Sequence, residues 1–243
     1  MLVAKLVRNS LIDTNDTVLE IGAGTGIITR ELVRRAKHVI AVEIDPNLVT
    51  LLRREFRHVS NLSIIHHDIL TYRLPEGQYK VFANIPFSIE GKIIRKLVRA
   101  KYPPIDSYLV MRRDLAMRLG GLSHESMFSI MYKPWYAFCP FHRFNGTDFV
   151  PHVKIQAVLF RALQRKHPLL PLVEQKLYHR FVRQGFTGGK KIDYNLKKVF
   201  THTQLKLLAQ KYGFDRKSKP SVLTLNQWLK IYDFSKKTLS KKP

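Results

Sequence analysis

Four short segments carry residues whose types and spacing could do chemistry. Three glycines stand in Glu20-Ile21-Gly22-Ala23-Gly24-Thr25-Gly26. Glycines at that spacing let a backbone turn sharply and let a ligand lie against it, although glycine-rich turns are also common as plain structure. Glu43 in Val42-Glu43-Ile44-Asp45 offers two acceptor oxygens, which suits a pair of vicinal hydroxyl donors. Asp68 in His67-Asp68-Ile69-Leu70 can accept from an exocyclic amino group. In Asn84-Ile85-Pro86-Phe87, an amide oxygen and the Ile85 carbonyl could accept both hydrogens of an aromatic amine. That fixes the nitrogen and favours positive charge on it in a transition state. Pro86 stiffens the loop, and Phe87 offers a face for an unstacked base.

Each segment ends a run that reads as a strand. Residues 17–21, 38–44, 62–67, 79–83 and 107–111 are apolar and rich in β-branched residues, and helical spacing lies between them at 27–35, 45–56 and 89–101. The pattern predicts a doubly wound α/β sheet with ligands beyond the strand carboxyl ends. Residues 127–138 are apolar without a clear period, and 153–160 alternates towards its start like a last, edge strand. After Leu163 the strand pattern stops. Helices are expected at 169–184, 196–200, 204–211 and 225–232, with a turn at 185–189. The domains predicted are 1–167, catalytic, and 168–243, a small all-α domain.

The chain has 42 Lys and Arg against 18 Asp and Glu, a net charge of +24, which points to a polyanionic partner. Residues 161–243 hold 20 of those cations and only 4 acids, so the helical part is expected to grip phosphates. Arg112, Arg113, Lys190 and Lys191 are candidates for that contact. Ordinary apolar content, 45%, argues against disorder. A single cysteine, Cys139, rules out an internal disulfide and reads as a buried thiol. His66, His67 and Asp68 do not make a metal site, because neighbouring strand residues point to opposite faces. No apolar run approaches the ~20 residues of a membrane span, and residues 1–8 lack a signal-peptide core. A cytoplasmic monomer without a metal or a membrane association is expected.

The glycine spacing lacks the third slot of a dinucleotide site, since position 27 is Ile27. A nucleoside cofactor without pyrophosphate, such as S-adenosylmethionine, fits better. In this order the four segments resemble the ribosomal RNA adenine N6-methyltransferases, with their small-subunit KsgA-like branch and large-subunit Erm branch. Asn-Ile-Pro-Phe leans towards the Erm branch, as do Lys133-Pro134-Trp135 and Leu223-Thr224-Leu225-Asn226-Gln227-Trp228. The resemblance implies a Rossmann-like fold and methylation of one adenine of 23S rRNA, naked or in early assembly, with macrolide–lincosamide–streptogramin B resistance. It carries over Gly22, Gly24, Gly26, Glu43, Ile44, Asp68, Ile69 and Asn84 as cofactor contacts. Asn84, Ile85, Pro86 and Phe87 go to the target amine and its ring.

Two features depart from the family. The upstream Gln-x-Phe/His-Leu stretch that contacts the cofactor does not precede the first helix, so a trimmed start or weakened cofactor affinity is expected. The late Phe-x-Pro-x-Pro-x-Val pattern is only partly present, as Phe149-Val150-Pro151-His152-Val153. The alternatives are a small-subunit adenine dimethyltransferase, or a non-catalytic RNA-binding factor on the same fold.

Overall fold

The computed structural model describes residues 2–149, 156–189 and 191–239. In chain order the elements are α1 (Leu2–Asn9), β1 (Thr17–Ile21), α2 (Ile27–Leu32), β2 (His38–Glu43), α3 (Pro46–Glu55), β3 (Leu62–His66), β4 (Lys80–Asn84), α4 (Glu90–Arg99), β5 (Asp106–Arg112), α5 (Arg113–Gly120), α6 (Met127–Tyr132), β6 (Tyr136–Arg143), β7 (Ala157–Gln164), α7 (Gln175–Phe186), α8 (Ile192–Leu196), α9 (His202–Tyr212) and α10 (Leu225–Leu239). Two units result: Met1–Ala116 with Ala137–Gln164, and Met117–Tyr136 with Arg165–Pro243. The sequence pattern grouped 117–136 with the sheet; these residues instead pack with the helical unit.

The first unit holds a seven-stranded sheet of order β3-β2-β1-β4-β5-β7-β6. Strands β1 to β5 run parallel, as βαβ crossovers require, and β7 is antiparallel to β5. Helices cover parallel strands on both faces, so continuous apolar runs such as Val39-Ile40-Ala41-Val42 are what such strands need. Register brings their carboxyl ends level: Ile21 pairs with Val42, and Glu43 with His66. Strand order reverses between β1 and β4, which opens a crevice at that rim.

Strand β7 is interior, between β5 and β6, and 157–160 are all buried. This corrects the edge-strand expectation. The alternation that suggested an edge comes from residues 153–155, which lie outside the described residues, as do Val150, Pro151, His152 and Lys190. The edge on this side is β6, as β3 is on the other, and Cys139 on β6 is exposed rather than buried. The core under the sheet gathers Val7, Val18, Leu32, Val39, Phe82 and Leu159. A second cluster of Ala41, Leu52 and Phe56 lies under α3.

Local signals explain the helix starts. Asp45 caps α3 by accepting from the Asn47 N–H at 2.8 Å, with Pro46 in the first turn. Ser126 with Ser129, and Thr201 with Gln204, form reciprocal capping boxes for α6 and α9.

The helical unit is organised around aromatic rings. Trp228 and Tyr178 are fully buried, Phe186 stacks on Trp228 at 5.3 Å, and Trp135 meets Tyr178 edge-on at 5.8 Å. Gly185 lies within α7, not in the expected turn, because Trp228 needs the space. A Cβ there would sit 2.3 Å from the indole Cη2. Helix α7 starts at Gln175 rather than 169, since Pro171 holds extended backbone, ψ 144°. Helix α8 ends at Leu196, where the expected 196–200 helix was to begin.

Candidate functional site

The crevice beyond β1, β2, β3 and β4 is a hollow of about 440 Å³, within the size range of small-molecule sites. Gly22 follows β1, and its N–H continues the ladder to the Val42 carbonyl at 2.8 Å. Gly22, Gly24 and Gly26 all have positive φ, at 70°, 57° and 81°, a backbone region that side chains disfavour. Only Gly22 of the three lines the hollow. Gly26 is needed for packing: a Cβ on it would come 2.6 Å from the Phe56 ring. Gly24 acts through its N–H, which donates to Glu43 Oε2 at 2.9 Å.

Glu43 is 6% exposed. Its Oε1 accepts from the N–H groups of Ile44 at 2.8 Å and Asp45 at 3.0 Å. Three of roughly four acceptor positions are therefore filled by backbone, leaving about one for a ligand hydroxyl instead of the pair first assigned to it. Ile44 beside it is 62% exposed into the crevice, and Ile69 at 7% lies among the same lining residues. Asp68 uses Oδ1 to cap the following turn, accepting from the Leu70 N–H at 2.8 Å. Its Oδ2 has no partner among the described residues.

Strand β4 delivers Asn84, Ile85, Pro86 and Phe87 to the other side of the hollow. Asn84 is exposed, and its side-chain amide has no partner among the described residues. Ile85 is buried and ties the loop to β5 through a 3.3 Å N–H bond to the Val110 carbonyl. Phe87 is half-buried against the sheet core, and Phe149 packs on that same core. Phe149, His67 and Ile89, with Ile21 and Val42, complete the lining, though none had been assigned to the site. Phe149 begins the partial Phe-x-Pro pattern, which was the available signal for it. The His67 N–H donates to the Glu43 carbonyl at 2.9 Å, a bond no local pattern announces.

Beneath the glycine turn, Glu20 is fully buried and its Oε2 accepts from the Thr29 hydroxyl at 2.7 Å, while Oε1 has no partner among the described residues. Burial, reinforced by the charge of Glu43 and opposed by the Thr29 bonds, pushes its carboxyl up to about 8.

The expected RNA-contacting residues lie elsewhere. Arg112 Nε donates to the buried Glu90 carboxylate at 2.9 Å, and its N–H does so at 2.6 Å, so this arginine anchors the start of α4. Arg113 Nη1 donates to the Gln156 amide oxygen at 3.0 Å. Lys191 is exposed before α8. No helix among the described residues is long and apolar enough to cross a membrane.

The lining suits a nucleoside sulfonium donor: a cradle with no side chain at Gly22, a carboxylate oxygen at Asp68, apolar surface at Ile44 and an unpaired amide at Asn84. A family model described as ribosomal RNA adenine dimethylase matches residues 1–237. The rRNA adenine N-6-methyltransferase of Limosilactobacillus reuteri is 31% identical over 179 residues, covering 73% of this chain and 72% of that protein. Ribosomal RNA small subunit methyltransferase A of Nostoc sp. is 30% identical over 244 residues, covering 93% and 90%. Among solved structures, the 23S rRNA methyltransferase ErmE superposes with a TM-score of 0.86 over 96% of both chains, at 25% identity.

Proposed function

This chain belongs to the ribosomal RNA adenine dimethylase family, and we propose that its target is one adenine in the peptidyl-transferase region of 23S rRNA. It is an rRNA adenine N6-methyltransferase, and S-adenosylmethionine supplies the methyl group. The observation that carries the proposed chemistry is the unpartnered Asn84 amide, held at a strand end beside the hollow with Phe87 three residues on. On this reading the Asn84 side-chain oxygen and the Ile85 carbonyl accept the two hydrogens of adenine N6, and Phe87 stacks on the ring. These two acceptors would aim the nitrogen lone pair at the methyl group that the donor's sulfonium would supply, the new N–C bond replacing the S–C bond. The methylated nitrogen is then cationic and loses a proton to water, so no strong general base is required. Gly22, Glu43, Ile44, Asp68 and Ile69 hold the nucleoside part of the donor, with Gly24 and Gly26 shaping the turn.

The large-subunit target is supported by the Asn-Ile-Pro-Phe and Lys133-Pro134-Trp135 segments and by the likeness to ErmE over nearly the full chain. It implies tolerance to macrolides, lincosamides and streptogramin B in a bacterium that expresses the protein. The small-subunit reading is favoured by the Nostoc relative, 90% of whose length is matched. Labelled donor incubated separately with naked 23S rRNA and naked small-subunit rRNA, followed by primer extension, separates the two. The expected stop falls at a single adenine of 23S rRNA. A stop confined to small-subunit RNA selects the second reading, and none in either refutes both.

A further inference from the structure

The outer face of α4 carries Lys92, Arg95, Lys96 and Arg99, a spacing that sets all four on one stripe. Its inner face, Ile93, Ile94, Leu97 and Val98, is buried. The only acid of this helix, Glu90, is buried and committed to Arg112. Like charges three and four residues apart on a helix repel, and these four follow that spacing. A polyanion lying along the stripe would relieve that repulsion.

The stripe has a second wall. Lys96 Nζ donates to the Leu70 carbonyl at 3.1 Å, joining α4 to the segment 70–76. Two hollows meet at Lys96. One, of about 490 Å³, is lined by the stripe and Leu70; the other, of about 310 Å³, lies between Arg73 and Tyr72 on one side and Tyr102 on the other. Tyr102 is 38% exposed, with the Lys101 ammonium 5.0 Å from its ring centre. Glu76, paired with Arg73, is the one acid lining either hollow. Both walls also lead away from the donor site. The 70–76 segment continues from Asp68 and Ile69, and α4 continues from Phe87 and Ile89.

We propose that this groove is a second RNA site, carried by the sheet unit itself, which holds the phosphates of the strand flanking the target adenine. A stripe of cations ending on an exposed ring, here Tyr102, is the combination that single-stranded nucleic acid uses, phosphates on the charges and a base on an aromatic face. A membrane surface would need the cations but would have no use for a groove whose two walls both continue, along the chain, from residues of the nucleobase pocket. The proposal rests on the RNA-directed function above and extends it to a place the charge count did not indicate, since the densest charge lies in residues 161–243.

The test uses the full chain and filter retention of naked rRNA across a salt series. Lys92→Gln with Arg95→Gln should lower the slope of log affinity against log salt by about 1.4, the value for two phosphates of a single strand. Arg53→Gln with Arg54→Gln, exposed on α3, is the control and should leave the slope unchanged. Tyr102→Ala should weaken binding of a single-stranded oligonucleotide about 5- to 150-fold, with the slope intact. If the α4 pair leaves the slope as it was while the wild type methylates rRNA, the groove is refuted and the function stands. If the wild type methylates neither rRNA but the α4 pair still lowers the slope, the groove stands and the function fails. Loss of binding to phosphatidylcholine–phosphatidylserine vesicles, with RNA retention unaltered, assigns the groove to a membrane and also refutes it.

Discussion

Asn84 allows chemistry to be separated from binding, because its side chain makes no bond among the described residues that the fold would lose. Asn84→Ala is expected to cut methylation by orders of magnitude, while filter retention of rRNA and the melting temperature barely move. Equal activity in the two proteins would remove the amide from the mechanism. Glu20 makes the opposite kind of prediction, one about stability. Its carboxyl titrates near 8 in the folded protein, against 4.5 for the ordinary group. Between those values the folded state holds a proton that the unfolded chain has released. The favourable contribution is complete below pH 4.5 and is lost as pH rises through about 8. Glu20→Gln cannot ionise, so its denaturant midpoint should decline less than that of the wild type between pH 5 and 9. A parallel decline in both proteins would mean that Glu20 is charged in the native state.

At the level of elements, Gly185 sets two effects against each other. Alanine in a helix interior is favoured over glycine by about 1 kcal/mol. Against that, its methyl would stand 2.3 Å from Trp228, a ring locked by Phe186 and Phe181. Overpacking of that kind costs about 1–3 kcal/mol, so Gly185→Ala should destabilise the protein in a urea titration, and a stabilised variant would contradict the α7–α10 packing. The elements were unequally readable from sequence. Strands β1, β2, β4 and β5 were plain because burial leaves mostly apolar runs, β3 at the sheet's far edge showed through Leu62-Ser63-Ile64-Ile65, and the loops after them follow from where those runs stop. Residues 127–138 were opaque. They contain all of the short helix α6 and the start of β6, and an apolar stretch shared by two elements has no single period. Leu172 and Val173 misled in another way: they complete a helical pattern at 169–184 yet are 67% and 88% exposed, ahead of the real start at Gln175. For Phe149 the partial Phe-x-Pro pattern was the one signal, and it gave no position in the pocket, since what brings Phe149 beside Phe87 is the return of the chain after β6.

For the whole molecule, the surplus of 24 positive charges must act through released counterions. Each phosphate neutralised contributes about 0.7–0.9 to the salt slope, so a footprint of ~6–10 phosphates would lower rRNA affinity by about 10³–10⁵ between 50 and 200 mM salt. A flat dependence would remove electrostatics as the source of RNA affinity. The sequence located this charge mainly in the helical part, as a count along a chain must. It could not reveal that Arg112 is engaged with Glu90, or that α4 carries a ridge of its own, because both depend on which face of an element is covered. Glu43 has a further consequence. Its carboxylate already gathers the Gly24, Ile44 and Asp45 amides into one fixed rim, so those segments surrender their freedom once, as the chain folds, and not again at every turnover. The donor should then enter a receptacle that is already shaped, and its association in rapid mixing should show one relaxation whose rate rises linearly with concentration.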